Sequence, residues 1–179
     1  MISFISLKEE HLEIVLKWRT QAEVTKYMST DIENNIVKQK EWFKKISNDK
    51  LLKYWIITYD KKSVGLIGLV DINWIHFNTI WSYYIGEKDY RRELGAIAPL
   101  YLYNYVFNSM NLNKIFANCF IENVNMIKIL RLHGFRDVGV HKQHYYKNGS
   151  FHDVLMMELL ANDWKIKNDI FGRFIAQFE

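Results

Sequence analysis

The fold is decided by residues 81–96, whose sequence is WSYYIGEKDYRRELGA. The first part is mostly aromatic or β-branched, as in a strand, and it leads into a basic turn that contains Arg91 and Arg92. Because proline is tolerated in a helix only near its first turn, Pro99 predicts that a helix begins close to Ala96. A strand that turns into a helix exposes unpaired backbone N–H groups at the positive end of the helix dipole. This stretch therefore predicts a site for an anion, such as a cofactor phosphate.

The composition is that of one ordinary folded domain. At 179 residues the chain has the length of a single domain, and 49% hydrophobic residues are enough to bury a core. The formal net charge of +4 is mild, and basic residues are dispersed among acidic ones, which argues against a nucleic-acid surface. The first residues carry no basic leader, and no run of about 18 apolar residues occurs. We therefore expect a cytoplasmic protein with no nucleic-acid or membrane partner.

The cysteine and histidine content does not indicate a metal site. Cys119 is the one cysteine and cannot form an internal disulfide, and the spacing of cysteine and histidine is not that of a zinc site. Cys119 lies in an apolar run, which favours core packing over catalysis. We therefore expect a protein that holds no metal.

Hydrophobic patterns predict a single domain of mixed strands and helices. The predicted strands are residues 2–6, 54–59, 64–72, 79–85, 114–121, 138–146 and 151–160. The predicted helices are residues 9–18, 36–46, the segment that follows Ala96, and 123–132. Asn123 is a candidate N-cap and Gly134 a C-terminal stop for the last helix, and Asn148-Gly149 predicts the turn of the final hairpin.

The segment at residues 114–121 is a continuous apolar run, which is typical of a strand covered on both faces. Together with the strand at residues 79–85 and the helix between them, it predicts a right-handed parallel crossover. The basic turn then lies at the carboxyl end of the first strand, where open sheets bind ligands. This placement favours the anion site over the alternative, an ordinary strand–loop–helix with solvated arginines.

The end of the chain is predicted to be an amphipathic helix. Within residues 163–179 one helical stripe collects the apolar side chains Ile170, Phe171, Phe174, Ile175 and Phe178. Such a stripe must be buried against the domain or against a partner copy. We therefore divide the chain into a domain at residues 1–160 and a helical tail at residues 161–179, and a homodimer is one arrangement that would bury the tail.

Local motifs extend this picture across most of the chain. The first set is Leu16-Lys17-Trp18-Arg19, Glu23-Val24, Lys26-Tyr27-Met28, Thr30-Asp31-Ile32 and Trp42-Phe43. The second set is Tyr54-Trp55-Ile56-Ile57, Tyr84-Ile85-Gly86, Asn104-Tyr105-Val106-Phe107, Leu112-Asn113-Lys114-Ile115, Lys147-Asn148-Gly149 and His152-Asp153-Val154. With the order of elements, they resemble the GNAT family of N-acetyltransferases to about residue 160. The first set is similar to enzymes that acetylate the 4-amino group of a UDP-linked 4-amino-4,6-dideoxy-N-acetyl-altrosamine in pseudaminic acid biosynthesis. Part of the second also occurs in ribosomal-protein N-terminal acetyltransferases.

The resemblance implies the α/β (α+β) GNAT fold, a mixed sheet of about seven strands flanked by helices on both faces. It also implies acetyl-CoA as co-substrate. Backbone groups of Tyr83, Tyr84 and Ile85 would line its acetyl and pantetheine part, and Asn123 would contact the pantetheine arm or the neighbouring backbone. The residues that would wrap the pyrophosphate are Arg91, Arg92, Glu93, Leu94, Gly95 and Ala96.

Two positions depart from the family pattern. Glu93 stands where a glycine is usual, and a carboxylate that faced a pyrophosphate would repel it. We therefore expect Glu93 to point outward or the loop to be displaced, and a one-residue slip that uses Arg92 and Gly95 is the alternative register. Leu130 stands where many relatives place a tyrosine that protonates the leaving thiolate, and an apolar side chain cannot supply a proton.

Direct acetyl transfer to an amine needs an oriented thioester and stabilised charge on the carbonyl oxygen, but no nucleophilic side chain. By position beside the strand at residues 79–85, Asp71 and then His76 are the candidates to take the amine proton. The alternatives are an exposed, turn-facing aspartate and a surface histidine.

The candidate acceptor residues lie early in the chain. Arg19 or nearby lysines would bind the diphosphate of a UDP-linked amino sugar, and Trp18, Tyr27 and Met28 would line the sugar or base pocket. An ion pair between Arg19 and Glu23, four residues apart on a helix, is the alternative for that arginine. Two other functions are kept open. One is acetylation of a protein N-terminus or another small amine in an open, acid-lined cleft, and the other is a non-catalytic acyl-CoA-binding module.

Overall fold

Seven strands form one mixed sheet. The computed structural model describes residues 1–179, with the side chain of Asn168 outside that description. The strands are β1 (Ile2–Ser6), β2 (Lys53–Tyr59), β3 (Lys62–Asn73), β4 (Asn78–Ile85), β5 (Lys114–Phe120), β6 (Arg136–Lys147) and β7 (Ser150–Leu160). Their order in the sheet is β1-β2-β3-β4-β5-β7-β6, and every neighbouring pair is antiparallel except β4 and β5. The predicted mixed sheet and its parallel crossover are confirmed.

Helices pack on both faces of this sheet. They are α1 (Leu12–Arg19), α2 (Ala22–Thr25), α3 (Ile36–Ser47), α4 (Arg91–Leu94), α5 (Ala98–Asn104), α6 (Val124–His133), α7 (Ala161–Ile166) and α8 (Asn168–Phe171). A π-helical turn at Tyr105–Ser109 follows α5, and 3₁₀ turns occupy Glu9–His11 and Lys88–Tyr90. Within the described part of the chain, no helix has the length and apolar character needed to span a bilayer.

The turn signals in the sequence are confirmed by the backbone. The side chain of Asn123 accepts a hydrogen bond from the N–H of Met126 at 3.4 Å and so caps α6. Gly134 ends the same helix at a φ of 102°, which is the left-handed conformation of a helix C-cap. Asn148 and Gly149 also have positive φ, at 50° and 78°, as a tight hairpin turn between β6 and β7 requires.

The parallel pairing of β4 and β5 is short. It joins Asn78–Ile80 to Lys114–Phe116 and then stops. Beyond that point β4 continues to Ile85 as a partner of β3, and β5 continues to Phe120 as a partner of β7. Each strand therefore keeps its antiparallel neighbour while the two diverge from one another, and a gap opens in the middle of the sheet.

Side chains of β4 alternate between two hydrophobic clusters, one on each face of the sheet. The larger cluster, beneath α5, α6 and α7, contains Trp81, Ile85, Tyr103, Leu130, Phe135 and Trp164. The smaller cluster, beneath α1 and α3, contains Val15, Trp18, Ile46, Ile56 and Leu66. Full burial of one such side chain stabilises the fold by about 1.5–3 kcal/mol, so both faces of β4 are firmly held.

The C-terminal tail is not the single amphipathic helix that the sequence predicts. The helices α7 and α8 end at Phe171, and the chain then turns at residues 172–173 and continues without regular secondary structure until Phe178 pairs with Phe4 of β1. The ring of Phe178 stacks on Phe4 and Tyr105, with centroids 4.3 and 4.4 Å apart. Ile175 instead is 75% exposed. The predicted stripe is broken because Phe178 gains aromatic contacts at the sheet edge that a continuous helix would not allow.

A buried amide fixes the tail to the domain. Asn104, at the end of α5, is 3% exposed, and its Nδ2 donates to the carbonyls of Phe171 and Phe174 at 2.9 and 2.8 Å. Its Oδ1 accepts a hydrogen bond from Trp164 Nε1 at 2.8 Å. The buried amide is thus fully used in holding the tail, as a polar group in a core must be. The tail therefore packs on its own domain.

We expect Phe178→Ala to lower the free energy of unfolding by about 2 kcal/mol, because it removes two ring stacks from a half-buried position. Ile175→Ala is the matched control in the same segment and should change it by less than about 0.5 kcal/mol, since Ile175 is exposed. Urea unfolding of the three proteins measures both values. Equal stability of Phe178→Ala and wild type would show that the tail is not docked through this ring.

His133, at the end of α6, is a buried histidine. It is 4% exposed and lies edge-on to the rings of Tyr103 and Phe171. Burial lowers the pKa of His133 from 6.5 to about 4, and a hydrogen bond with the backbone of Ala96 opposes this shift. The unfolded chain therefore takes up a proton on His133 at a higher pH than the folded chain does. The stability that depends on the neutral ring is present above pH 6.5 and is lost as the pH falls toward 4.

The free energy of unfolding should therefore fall by up to about 3 kcal/mol between pH 6.5 and pH 4 because of this one histidine. His133→Gln should lack that component and show a shallower pH dependence over the same range. His76→Gln, which alters an exposed histidine, should keep the wild-type dependence. Urea titrations at several pH values test this. A wild-type slope in His133→Gln would contradict the assignment.

Candidate active site

The gap between β4 and β5 leaves one edge of β4 without a strand partner. In an antiparallel pair, the backbone groups of successive residues point alternately toward the neighbouring strand and away from it. The N–H of Gly86 donates to the carbonyl of Val64 at 2.8 Å, which fixes this alternation. The backbone of Tyr84 is therefore bonded to β3, whereas the backbones of Tyr83 and Ile85 face the gap. A ligand in the gap meets a row of backbone donors and acceptors.

The gap opens into a cavity of about 420 Å³, which we call the splay cleft. It is lined by residues 81–85 of β4, residues 117–119 of β5, Asn123 and Met126 of the α6 start, Arg91 and Gly95 of the basic turn, and Tyr27 and Met28. The splay cleft thus runs along the divergent strands and ends at the segment that follows α2.

A second cavity of about 750 Å³ lies on the α1 and α3 side of the sheet, and we call it the α1–α3 cavity. Its walls include Arg19, residues 28–33, Lys38, Trp42, Tyr54 and Tyr84. Met28, Ser82 and Tyr84 line both cavities, so the two spaces meet at β4. One ligand in each cavity would meet beside the same strand.

The wall between the two cavities is held by a buried lysine from the far end of the chain. Lys147, the last residue of β6, is 6% exposed and its Nζ donates to the carbonyls of Thr25 and Met28, both at 2.8 Å. It also pairs with a carboxylate oxygen of Asp31 at 2.6 Å, which lowers the pKa of that carboxyl. Arg19 holds the same segment by donating to Thr25 Oγ1 and to the carbonyl of residue 30.

The basic turn differs from the open strand-to-helix loop that was expected. Residues 88–94 form a 3₁₀ turn and α4, and the next helix begins at Ala98, close to Ala96 and with Pro99 in its first turn as predicted. The N–H of Gly95 donates to the carbonyl of Arg91 at 3.0 Å and is not free. The backbone N–H of Gly95 is thus used within the turn and is not available to an anion.

The two arginines of this turn have different surroundings. Arg91 points inward, where its Nε donates to the carbonyl of Ile85 at 3.0 Å and its Nη2 donates to the carbonyl of Gly86 and to Gln21 Oε1 at 2.9 and 2.7 Å. Arg92 is exposed. The structure therefore gives Arg91 a bracing role at the end of β4 and leaves Arg92 as the exposed arginine of the pair.

Some of the remaining predicted cofactor residues line the splay cleft and others do not. Glu93 is exposed and accepts a hydrogen bond from the hydroxyl of Tyr59 at 3.0 Å, so it points outward as one of the two expected alternatives requires. Leu94 is buried in the larger cluster. Arg92, Glu93, Leu94 and Ala96 do not line the splay cleft, whereas Tyr83, Tyr84, Ile85, Arg91, Gly95 and Asn123 do. Their cofactor roles stay predictions.

Trp18 is not placed as a substrate residue. Its side chain is 0% exposed and lines neither cavity. Its Nε1 donates to Glu87 Oε1 at 2.9 Å, and its ring covers Gly86 so closely that a Cβ there would lie 2.1 Å from the ring. Trp18 is therefore a packing residue that fixes the turn after β4. Among the other predicted substrate residues, Arg19 lines the α1–α3 cavity, Tyr27 the splay cleft and Met28 both.

Asp71 and His76 are not brought to the cavities. Asp71 is exposed on a bulge of β3 at a φ of 51°. Burial raises the pKa of Tyr54, which lines the α1–α3 cavity, and the negative charge of Asp71 raises it further. His76 lies in the exposed turn before β4, where its N–H donates to Asn73 Oδ1 at 2.8 Å. At about 3.3 Å per residue, roughly 20 Å of strand separates His76 from Tyr83. Neither side chain lines either cavity, and their proton-accepting roles stay predictions.

Comparison with known proteins identifies the family of this chain. The chain matches the acetyltransferase (GNAT) domain over residues 2–136. It belongs to the GNAT acetyltransferase family. The protein is therefore an acyltransferase, and the non-catalytic alternative is set aside.

Relatives of this GNAT protein are distant in sequence. It is 22% identical to the acetyltransferase PseH of Campylobacter jejuni, over 80% of this chain and 88% of that one. It is 24% identical to the spermidine N(1)-acetyltransferase of Escherichia coli, over 96% and 92%. The crystal structure of spermidine N-acetyltransferase from Vibrio cholerae in complex with CoA and spermine superposes with a TM-score of 0.86 at 19% identity, covering 92% of this chain and 98% of that one. This likeness establishes the fold.

The splay cleft fits the co-substrate of GNAT enzymes. In this family acetyl-CoA supplies the acetyl group as an activated thioester. The chain offers the backbone groups of Tyr83 and the N–H of Ile85, which have no strand partner and suit the amide-rich pantetheine arm, and a basic turn at one end of the cleft. Among the described residues, no cluster of three or more histidine, cysteine, aspartate or glutamate side chains is arranged to hold a metal ion.

Several residues that line the two cavities of this GNAT protein were not identified as site residues from the sequence. Asn118 interrupts the apolar run of β5, and a polar residue inside a buried strand was the signal that could have identified it. Trp42 and Tyr54 appeared only as family motifs, yet they form an edge-to-face pair, with centroids 5.5 Å apart, in the α1–α3 cavity. Cys119 lines the splay cleft, but burial raises its pKa to about 12, so it stays a thiol and acts in packing as predicted.

We expect Lys147→Met to loosen residues 25–31, because it leaves two carbonyls and the Asp31 carboxylate without their ammonium partner. Hydrogen–deuterium exchange of that segment should become at least about tenfold faster. Lys142→Met on the same strand is the control, since Lys142 pairs with Asp153 at an exposed site and should leave the segment unchanged. Wild-type exchange in Lys147→Met would show that the buried lysine does not hold the wall.

Proposed function

We propose that this enzyme transfers the acetyl group of acetyl-CoA to the amino group of a nucleotide-linked amino sugar. The observation that carries the proposal is the charge of the α1–α3 cavity. The two carboxylates in its lining are already paired, Asp31 with Lys147 and Glu33 with Lys38. Arg19 is different, because it donates to the hydroxyl and carbonyl oxygens of neutral residues.

This balance suits an acceptor that carries negative charge away from its amine. Arg19 and Lys38 offset the two carboxylates, and the buried ammonium of Lys147 adds a further positive charge behind the wall. Burial lowers the pKa of Arg19, but an arginine remains protonated at neutral pH. A polycation would need free carboxylates, whereas a diphosphate gains from a guanidinium.

Size and aromatic lining support the same acceptor. A cavity of about 750 Å³ falls in the range that encloses a molecule of nucleotide size. Trp42 is half-buried and meets Tyr54 edge to face, so it offers an aromatic surface to a planar base. The resemblance of residues 16–43 to enzymes that acetylate a UDP-linked amino sugar agrees with this lining.

In the proposed reaction, the two reactants lie side by side at β4. The acceptor amine would approach β4 from the α1–α3 cavity at Met28, Ser82 and Tyr84, and the acetyl group would lie in the splay cleft. A backbone N–H that faces the gap, on Tyr83 or Ile85, would stabilise the charge that develops on the carbonyl oxygen. The N–C bond forms as the C–S bond of the thioester breaks, so the amine nitrogen releases one proton and the leaving CoA thiolate takes one up. Leu130 is buried in the core and cannot supply the thiolate's proton, so both protons are exchanged with another group or with water.

A polyamine is the second candidate acceptor. Two observations favour it: similarity to the spermidine N(1)-acetyltransferase of Escherichia coli covers 96% of this chain, and Glu23 lines the splay cleft. Acetylation of a protein N-terminus is the third, and a putative ribosomal N-acetyltransferase of Bacillus subtilis is 23% identical over 61% of the chain. The paired carboxylates of the α1–α3 cavity support neither cationic acceptor.

The test is to incubate the purified enzyme with acetyl-CoA and one of three acceptors, a UDP-linked 4-amino sugar, spermidine or an N-terminal peptide, and to measure thiol release. We expect kcat/KM for the sugar to exceed the other two by at least about tenfold. UDP alone should inhibit competitively against the acceptor. Preferred turnover of spermidine, without inhibition by UDP, would overturn the proposed acceptor and establish the polyamine function.

A further inference from the structure

The hydroxyl of Tyr84 is buried and has no hydrogen-bond partner within the described structure. A buried hydroxyl without a partner costs about 1–3 kcal/mol, so native structures rarely keep one without a use. Burial raises the pKa of Tyr84, which therefore stays a neutral phenol. The same condition holds for the hydroxyl of Tyr103 in the larger cluster. Tyr103 lines neither cavity, whereas Tyr84 lines both.

The position of Tyr84 follows from the strand. Its backbone is bonded to β3, and its side chain lies on the face of the sheet opposite Tyr83, toward α1 and α3. Met28 and Ser82 stand beside it at the meeting point of the cavities. Arg19 is close enough for its charge to act on the phenol. An acceptor molecule at this point would lie against Tyr84, whose hydroxyl has no partner within the described structure.

We infer that the Tyr84 hydroxyl contacts the acceptor and accepts a hydrogen bond from its reactive amine, which turns the nitrogen lone pair toward the splay cleft. The inference rests on the proposed transfer of an acetyl group to an amine. It does not require that the amine belong to a nucleotide-linked sugar. It makes Tyr84 a catalytic residue through its side chain, whereas the family resemblance implies a cofactor contact for its backbone. The phenol orients the amine and takes no proton, because it is already protonated.

The test compares Tyr84→Phe with Tyr103→Phe, since each removes one buried and unpartnered hydroxyl without changing the shape of the ring. Tyr84→Phe should lower kcat/KM for the acceptor by about 10- to 100-fold while KM for acetyl-CoA stays within about twofold of wild type. Tyr103→Phe should keep wild-type kinetics. Neither variant should melt below the wild type, because neither loses a hydrogen bond within the protein.

The outcomes separate this inference from the proposed function. Wild-type kcat/KM in Tyr84→Phe would overturn the role of the hydroxyl and leave the acceptor assignment intact. An equal loss in Tyr103→Phe, or an equal rise in KM for acetyl-CoA, would also overturn it, because the effect would then be general. If wild type acetylates spermidine or a peptide instead of the sugar, the proposed acceptor fails, and the comparison of the two variants is made with the amine that is turned over.

Discussion

The short parallel pairing of β4 and β5 is the constraint on which the site depends. After Ile80 and Phe116 each strand keeps its antiparallel neighbour and gives up the other, so the sheet stays intact while one edge of β4 is left unpaired. Backbone groups in a protein interior must find partners. Arg91 satisfies one of them by donating to the carbonyl of Ile85, and the rest face the splay cleft. The splay cleft is thus lined by backbone groups of β4 that have no partner in the sheet.

The second cavity depends on contacts between the two ends of the chain. Residues 25–31 form the wall beside β4, and they are held by Arg19 from α1 and by Lys147 from the last hairpin. The ion pair with Lys147 offsets the negative charge of Asp31, which would otherwise attract a cation. The same interactions that shape the α1–α3 cavity therefore also set its charge balance. The proposed diphosphate-bearing acceptor rests on this balance.

Most of the fold could be predicted from the sequence because its signals are local. Alternating and continuous apolar segments marked the strands, and Asn148-Gly149 and Gly134 marked turns that require positive φ. The prediction of one continuous C-terminal helix was wrong. The stripe of apolar residues fits a helix locally, but Phe178 instead stacks on Phe4 of β1 and on Tyr105. Asp71 lies on a bulge of β3 outside the lining of both cavities, and its role as proton acceptor stays a prediction.

The sequence by itself determined a mixed sheet with helices, its parallel crossover and the strand that lines both cavities, since these follow from periodicity, turn residues and connection rules. The resemblance of its local motifs to a known family added the GNAT fold. Only the tertiary structure decided which side chains reach the site. It buried Trp18 beneath Gly86, turned Arg91 inward and left the Tyr84 hydroxyl unpartnered between two cavities. These outcomes depend on contacts between residues that are distant in sequence, and neither composition nor spacing encodes the direction of a side chain.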